Sequence, residues 1–553
     1  MKLNKIIEIA RKKSEVRLNE IREQLSIPFF RTYEQTLWNG SPKKIIVVGS
    51  GIGGLASGAL FASIGHHVTV LELNKKLIGG HGRCQIFNNM PYSMGPQYVW
   101  KFGEQMLGDR FLKFLNLQKS NPFVPMSKDG FERIFIGNRE DTSNYCFINF
   151  KVPMGLENFR HELKRLFPEE SKKLDALFDD MIAVFETFKS HFSRNAANHG
   201  RFLLATKFMM TGKVPLEMKL KLGQSIYLSV KEFFDQHKIN NLIRRILYGH
   251  GGIFAENESE MSAIAYIVGT GNYHEGAWYP KYGFSHFFNS LASVIRTAGG
   301  CVEIGKKVIR IETVNNLVTR AICEDGSSYE CDFLFSDISP RLTASLLGRG
   351  TEEFDYTPSH SIPTCCIGIN KGLETIAEMK GRNYWWQDGN EVNYNNPDVT
   401  APPRMLFVGS PSANGFGQSG SDAEDALVVF CPGNYGQEKK IYEKGPAAVE
   451  KLKHRLFNDI ISILDKNIFP GIKSRVLFGE IFSSIDIENE TGGEIGNAYG
   501  RRLTAKEILK GPIREENCPA NLYNVSATKN SPGIAGGIFT AELIFKELTG
   551  REI

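Results

Sequence analysis

Along residues 1–27, apolar side chains recur at three- and four-residue spacing: Leu3, Ile7, Ala10, Leu18, Ile21 and Leu25, with Ser14 as the gap and Lys, Arg or Glu at most other positions. That period predicts a helix with one apolar stripe, ended by Pro28. At Lys43 the pattern changes. Ile45-Ile46-Val47-Val48 reads as a short buried strand, 52–64 as a helix of small residues and Val68-Thr69-Val70-Leu71 as a second strand, which together make a βαβ unit. Residues 155–250 return to helical spacing, with Leu156, Phe159, Leu163 and Leu166 and later the run 202–210, and predict a helical lobe. Short β-type runs follow at 302–304, 308–311, 318–322 and 333–335, with Asp325-Gly326 as a turn. A mixed region over 360–515 has strand-like runs at 366–369, 405–408 and 427–430 and a helix near 446–465. The chain closes on a strand at 522–525, a glycine turn and a helix over 537–548, and it carries no internal repeat or low-complexity tract.

A chain of 553 residues with 42% hydrophobic residues buries more than one small core, so two or three domains are expected. The charge is too balanced, 66 Lys and Arg against 61 Asp and Glu, for nucleic acid to be the main partner. Nine scattered cysteines, with no Cys-x-x-Cys pair and one adjacent pair at Cys365-Cys366, suggest neither a disulfide framework nor a zinc site. Reduced thiols in a cytoplasmic protein are the expectation. The charged start of the chain does not resemble a secretory signal. The most apolar long window, 45–71, is broken by six glycines and by His66-His67, so a strand–helix–strand unit suits it better than a span of about 20 apolar residues. The stripe of residues 1–27 is either an arm packed on its own domain or a partner helix, or a peripheral membrane-surface helix, since it holds seven Lys or Arg against four Glu.

Directly after the first strand stands Gly49-Ser50-Gly51-Ile52-Gly53-Gly54. In a G-x-G-x-x-G turn the first glycine allows the tight bend, the second lets backbone amides approach a pyrophosphate, and the third lets helix and strand lie close. The helix N-terminus then offers unpaired N–H groups to phosphate. Glu72, 23 residues after Gly49 and at the end of the second strand, can accept hydrogen bonds from a ribose diol. Past the acid lies Leu77-Ile78-Gly79-Gly80-His81-Gly82-Arg83, a second glycine loop for which a nicotinamide enzyme has no need. It suits a longer cofactor, FAD, with Arg83 available to neutralise phosphate. The C-terminal Ser531-Pro532-Gly533-Ile534-Ala535-Gly536-Gly537-Ile538 again reads as turn into helix, aimed at the flavin pyrimidine or diphosphate. Val308, opening a β-type run, completes the set of residues assigned to the cofactor.

Gly49-Ser50-Gly51-Ile52-Gly53-Gly54-Leu55, Gly79-Gly80, Tyr92-Ser93-Met94-Gly95, Gly276-Ala277-Trp278-Tyr279-Pro280-Lys281-Tyr282-Gly283 and Ser531-Pro532-Gly533 together resemble the phytoene-desaturase superfamily of FAD-dependent oxidoreductases, nearest its retinol saturase and carotenoid isomerase branch. The similarity runs over roughly 43–345 and 475–548. It implies noncovalent FAD and the addition, removal or isomerisation of double bonds in lipophilic polyenes. Ser93 stands where the family has aspartate, Pro280-Lys281-Tyr282-Gly283 replaces Pro-Gly-Gly, and His81-Gly82 is unusual beside the second loop. The resemblance and the pattern together predict an α/β fold: a discontinuous Rossmann-type FAD-binding domain from 43–150, 276–345 and 516–553, a helical lobe over 151–275, a mixed substrate domain over 346–515 and an N-terminal arm over 1–42.

Chemistry at a carbon next to the one exchanging hydride needs a proton donor or acceptor. His81 and Tyr98 are the leading candidates, with Lys281, Glu490 and Tyr499 behind them. Trp100, Trp278, Tyr279 and Phe284 suit either a polyene tunnel or ordinary core packing. The readings that remain are a flavoenzyme acting on carbon–carbon bonds of a polyene or fatty-acyl lipid, an amine oxidase on the same fold, and a lipid-binding protein without catalysis. An amine oxidase would want aromatic residues around the amine, and 526–530 has none. The electron partner is not readable from the sequence.

Overall fold

A computed structural model describes residues 41–137, 148–192, 216–352, 354–415, 424–510, 513, 518–529 and 532–553. The expected stripe over 1–27 and the run 202–210 lie outside these residues. The strand expected at 45–48 forms as Lys44–Val48 (β1) and is followed by the helix Ile52–Ser63 (α1) and the strand His67–Glu72 (β2). Cys301–Ile304 (β3), Phe333–Ser336 (β4) and Leu522–Asn524 (β5) join them in a five-stranded sheet of order β3-β2-β1-β4-β5, parallel throughout. Parallel strands are buried on both faces, which is why β1 and β4 are nearly continuous apolar runs. One face of β1, through Ile45 and Val47, packs with Leu55, Ala56 and Ala59 of α1. The other, through Ile46 and Val48, packs with Leu71, Leu334 and Val308.

Small residues let α1 sit low on this sheet. A Cβ on Gly58 would stand 3.0 Å from Ile295 and 3.3 Å from Val68. Phe61, fully buried, meets Phe335 with ring centroids 5.0 Å apart and Phe545 at 5.3 Å, and so ties α1 to β4 and to the C-terminal helix Gly533–Thr549 (α2). Four distant stretches of sequence thus build one unit at the carboxyl ends of its strands, the edge where open α/β sheets bind ligands.

A seven-stranded sheet runs in the order Val476–Phe482, Thr364–Asn370, Glu424–Phe430, Met405–Gly409, Asn383–Gln387, Glu132–Ile136, Ile148–Val152. Asn383–Gln387 and Glu132–Ile136 are its one parallel pair. Glu132–Ile136 lies inside 43–150, a stretch expected with the first sheet, and pairs here with Asn383–Gln387, about 250 residues further on, and with Ile148–Val152. Period-two alternation sets its faces. Phe135, Tyr384, Trp386, Leu406, Val408, Leu427 and Val429 pack with Ile460 and Leu464 of the helix Pro446–Asn467. Ile134, Trp385, Met405 and Phe407 turn to the other side, toward the helical lobe. That lobe contains Leu156–Leu166, Ser171–Phe192, Leu216–Tyr227, Val230–Gln236 and Asn241–Leu247. It comes close where side chains are smallest: a Cβ on Gly252 would stand 2.4 Å from the Trp385 ring, and one on Gly249 2.6 Å from Ile134. No helix among the described residues is long and apolar enough to cross a membrane.

Candidate functional site

The turn between β1 and α1 takes its shape from its glycines. Gly49 has φ +96°, a region that a residue with a Cβ enters at a cost, and its amide donates to Leu71 O at 2.9 Å. A Cβ on Gly53 would stand 2.1 Å from Val525 O, and one on Gly54 2.4 Å from Gly49 O. Gly51 is the N-cap of α1 and, being glycine, has no side chain of its own to cap the helix. Ser50 and Ile52 flank this cradle. Ser50 is buried, and its hydroxyl and amide both donate to Glu72 Oε2, at 2.5 Å and 2.9 Å.

Glu72 ends β2 with its carboxyl sealed in the protein. Oε1 accepts from Asn74 N at 2.7 Å. Burial raises its pKa, against the pull of the bonds from Ser50 and Asn74 and of the Arg83 charge. A carboxylate has about four acceptor positions, so the three protein donors leave room for one more.

The second glycine loop lies against the first. Gly79 N donates to Ser50 O at 3.0 Å and to Ser50 Oγ at 3.1 Å, and a Cβ on Gly80 would stand 3.1 Å from Gly51 Cα. The C-terminal turn reaches the same place from the other side: a Cβ on Gly537 would meet Ile52 Cγ2 at 2.5 Å and Gly53 N at 3.1 Å. Gly536 and Ile538 are buried beside it in α2, and Gly533 opens that helix. Val308 is buried at the start of Val308–Val314, in the cluster with Val48 and Leu71. Three glycine segments separated by up to about 480 residues therefore meet at the start of α1. This cradle, a concave backbone surface that side chains would fill, fits the diphosphate and extended body of a dinucleotide.

Arg83 is buried and its charge is already engaged. Nε donates to Glu490 Oε2 at 2.6 Å and Nη1 to Gly80 O at 3.2 Å, while Nη2 has no partner. Glu490 also accepts from Gln85 Nε2 at 3.0 Å, so this acid, a weaker candidate for proton transfer, serves to fasten the second loop to the helix Ser484–Thr491. Burial, with the Arg83 charge adding to it, pushes the His81 imidazole down to about 4, so it is neutral near pH 7; its Nε2 has no partner. Its ring lies beneath the 493–497 segment, 2.9 Å from where a Gly493 Cβ would be. Ser93 donates to Pro96 O at 2.7 Å and shapes the turn leading to Tyr98.

Tyr98 is buried and its hydroxyl donates to Glu132 Oε1, as does Trp385 Nε1 at 3.1 Å. Glu132 was not singled out from the sequence. Alternation along Glu132–Ile136 puts it on the lobe-facing side, the one carboxyl among Ile134 and Ile136. It is 1% exposed, and burial lifts it to about 7 in spite of the bonds from Tyr98 and Trp385. His250 Nδ1 stands 3.6 Å from its other oxygen, and the Tyr273 ring lies 4.6 Å from that of Tyr98. Tyr499, half-buried in this region, donates to Gly252 O at 3.4 Å. Lys281 sits over the Tyr282 ring. Of the aromatic set, Tyr279 packs on Phe284 at 5.3 Å, and Trp278 is hemmed in by Gly103 and Gly276. Trp100 pairs with Ala277 in a short strand ladder.

A sequence profile of the flavin containing amine oxidoreductase family matches residues 52–336. The chain is 22% identical to an all-trans-retinol 13,14-reductase of Danio rerio, over 89% of this chain and 84% of that protein. It is 23% identical to a 4,4'-diapolycopen-4-al dehydrogenase of Metabacillus indicus, covering 90% of this chain and 94% of the other. With a lycopene-forming phytoene desaturase of Pseudescherichia vulneris it shares 21%, over 90% and 98%. In backbone it is similar to an oxidoreductase from Methanosarcina mazei, with TM-score 0.58 at 15% identity over 91% of this chain and 100% of that one. It is likewise similar to a putrescine oxidase bound to putrescine, with TM-score 0.59 at 12% identity over 92% and 100%. Those two likenesses are of fold.

Proposed function

We propose, from the premise that this chain belongs to the flavin containing amine oxidoreductase family, that it saturates, desaturates or isomerises a carbon–carbon double bond in a lipophilic polyene, retinoid, carotenoid or fatty-acyl substrate. It is an oxidoreductase and it binds FAD. When bound, FAD takes or gives a hydride at its N5. In this reading the amides of the Gly49–Gly54 turn hold the diphosphate, with Ser50 and Ile52 shaping its walls, and Glu72 takes a ribose hydroxyl with its remaining acceptor position. Gly79, Gly80 and Arg83 flank the cofactor on one side and Gly533, Gly536, Gly537 and Ile538 on the other, with Val308 toward the nucleoside end.

The observation that carries the reading is the Tyr98–Glu132 pair. It is a proton-bearing couple, with His250 beside it, set among Phe131, Ile134, Tyr273, Trp385 and Phe407. Orienting an apolar chain and excluding water are most of what such a reaction asks of the protein. Tyr98 would hand a proton to the carbon beside the one that gains hydride, or take it in the reverse direction, and Glu132 would restore it. An acid near 7 is poised for that exchange. His81, neutral and with Nε2 unsatisfied, is the second candidate, as an acceptor. The substrate class draws its support from relatives named for retinol, diapolycopenal and phytoene. Against amine oxidation, the described part of the C-terminal turn, Ser526 to Lys529, contributes no aromatic side chain.

The test is product analysis. Holoenzyme incubated with a panel of retinoids, carotenoids and fatty acyl lipids is expected to give a product differing by two hydrogens, or an isomer of equal mass. Tyr98→Phe should slow that conversion by about 10²–10⁴-fold with the bound flavin spectrum unchanged. Conversion of amines to aldehydes, with every lipid returned intact, contradicts the reading.

A further inference from the structure

Asp337 is the residue after β4, at the carboxyl edge of the parallel sheet, and its side chain lies in the cradle of the first glycine turn. Its amide donates to Val48 O at 2.8 Å, which fixes it beside β1. A Cβ on Gly51 would stand 2.5 Å from Asp337 Oδ2, one on Gly53 2.8 Å from Oδ1, and one on Gly54 3.0 Å from Oδ2. The carboxyl therefore fills the concavity that absent glycine side chains leave. The residue as a whole is half-buried, yet Oδ2 is sealed from solvent and has no hydrogen-bond partner. The protein has set an acid where a helix N-terminus and two glycines prepare a seat for anionic phosphate.

We propose that Asp337 is a ligand of the FAD diphosphate and that it serves there as a neutral carboxylic acid, so that, above the pH at which the free protein releases this proton, binding of the cofactor takes it up. The proposal rests on the placement of the diphosphate over the Gly49–Gly54 turn. Two phosphate charges and a carboxylate cannot share one seat without mutual repulsion in a site that excludes water. A protonated carboxyl instead donates O–H to a phosphate oxygen and holds the Gly51 and Gly54 amides less strongly than a carboxylate does. Burial already pushes the Asp337 carboxyl well above the usual carboxylate range, and the Glu72 charge adds to this, while the amides of Gly54 and Gly51 oppose it. Among the described residues, the one charged group acting on Asp337 is the acid Glu72. The turn and α1 contribute the amides of Gly51 and Gly54, and β2 contributes the acid Glu72. The alternative is a carboxylate that caps α1 and leaves when FAD arrives.

The two differ in sign and in pH dependence. If the complex keeps a proton that the free protein releases, affinity falls as pH rises, by up to about tenfold per unit above the free protein's titration point. FAD affinity is measured by flavin fluorescence on cofactor-stripped wild type, Asp337→Asn and Asp337→Ala between about pH 6 and 9.5, with proton uptake followed by an indicator dye in weak buffer. The expected result is a loss of affinity across that range at least about tenfold greater in the wild type than in either variant, and variants that bind more tightly than wild type at the alkaline end. Proton uptake per FAD should be present in the wild type and missing in Asp337→Asn. Parallel profiles and equal proton uptake overturn the proposal. So does weaker binding by both variants at every pH with the melting temperature of the stripped protein lowered, the outcome for a helix cap. Gly51→Val separates the two failures: if it keeps FAD, the diphosphate placement is wrong, and if it loses FAD while the profiles run parallel, only the role of Asp337 is wrong.

Discussion

Glu72 and Glu132 are both carboxyls at the ends of strands, and different surroundings give them different tasks. Glu72 is surrounded by donors from Ser50 and Asn74 and organises the turn before any ligand arrives. Glu72→Ala should weaken FAD by about 1.5–3 kcal/mol, the worth of a hydrogen bond to a charged group; calorimetry showing unchanged affinity would detach this acid from the ribose. Glu132 has a phenol and an indole for company, and its carboxyl rises from 4.5 to about 7. Below the lower value folded and unfolded chains both hold the proton. Between the two values only the folded chain keeps it, so the wild type loses stability as pH rises, on the order of 3 kcal/mol in all, and loses no more above 7. Glu132→Gln should lack this slope, and denaturant melts of both proteins between about pH 4.5 and 8 check it; parallel curves would mean that Glu132 is ionised in the folded protein. Glycines and an acid at fixed offsets from a strand were legible because each has a local geometric task. Glu132 and Asp337 were not, because one acid inside an apolar alternation, or just past a strand, gains meaning only when a distant segment covers it.

At the scale of elements, the site depends on how closely α2 lies on α1. Gly537 is the contact point, and a side chain there would overlap Ile52 and crowd Gly53 N. Gly537→Val should separate the helices, lower stability by about 1–3 kcal/mol as overpacking does, and weaken FAD in the same protein; a melt or a titration that does not move would place the contact elsewhere. The strands, helices and glycine turns were readable from local period, and those expected at 45–48, 68–71, 333–335, 405–408 and 446–465 all form within a few residues. Strand pairing was not readable. Glu132–Ile136 and Asn383–Gln387 are short strands with no local signal of their pairing, and apolar faces shared under the helical lobe and against Pro446–Asn467 join them across about 250 residues. The second glycine loop, seen in sequence as a feature of a long cofactor, also has a mechanical partner in Glu490 that no local pattern announces.

For the whole molecule, the parallel sheet carries the glycine cradle proposed for FAD, and the seven-stranded sheet with its helical lobe encloses a largely apolar interior in which Tyr98 and Glu132 lie beside His250. Residues 1–27 precede the first strand of the cradle, so their deletion is expected to leave FAD binding intact and to reduce binding to anionic lipid vesicles; loss of flavin with the deletion would make the stripe part of the core. The central claim is that electrons pass between the bound flavin and a carbon–carbon bond of an apolar chain, and anaerobic rapid mixing tests it directly. Reduced enzyme mixed with a polyene, or oxidised enzyme mixed with its more saturated counterpart, is predicted to change the flavin absorbance in a single turnover, with the lipid product altered to match; an isomerase would alter the lipid with no net bleaching. Rapid bleaching by primary or secondary amines, with no spectral change and no altered product from any polyene or fatty acyl lipid, would contradict it.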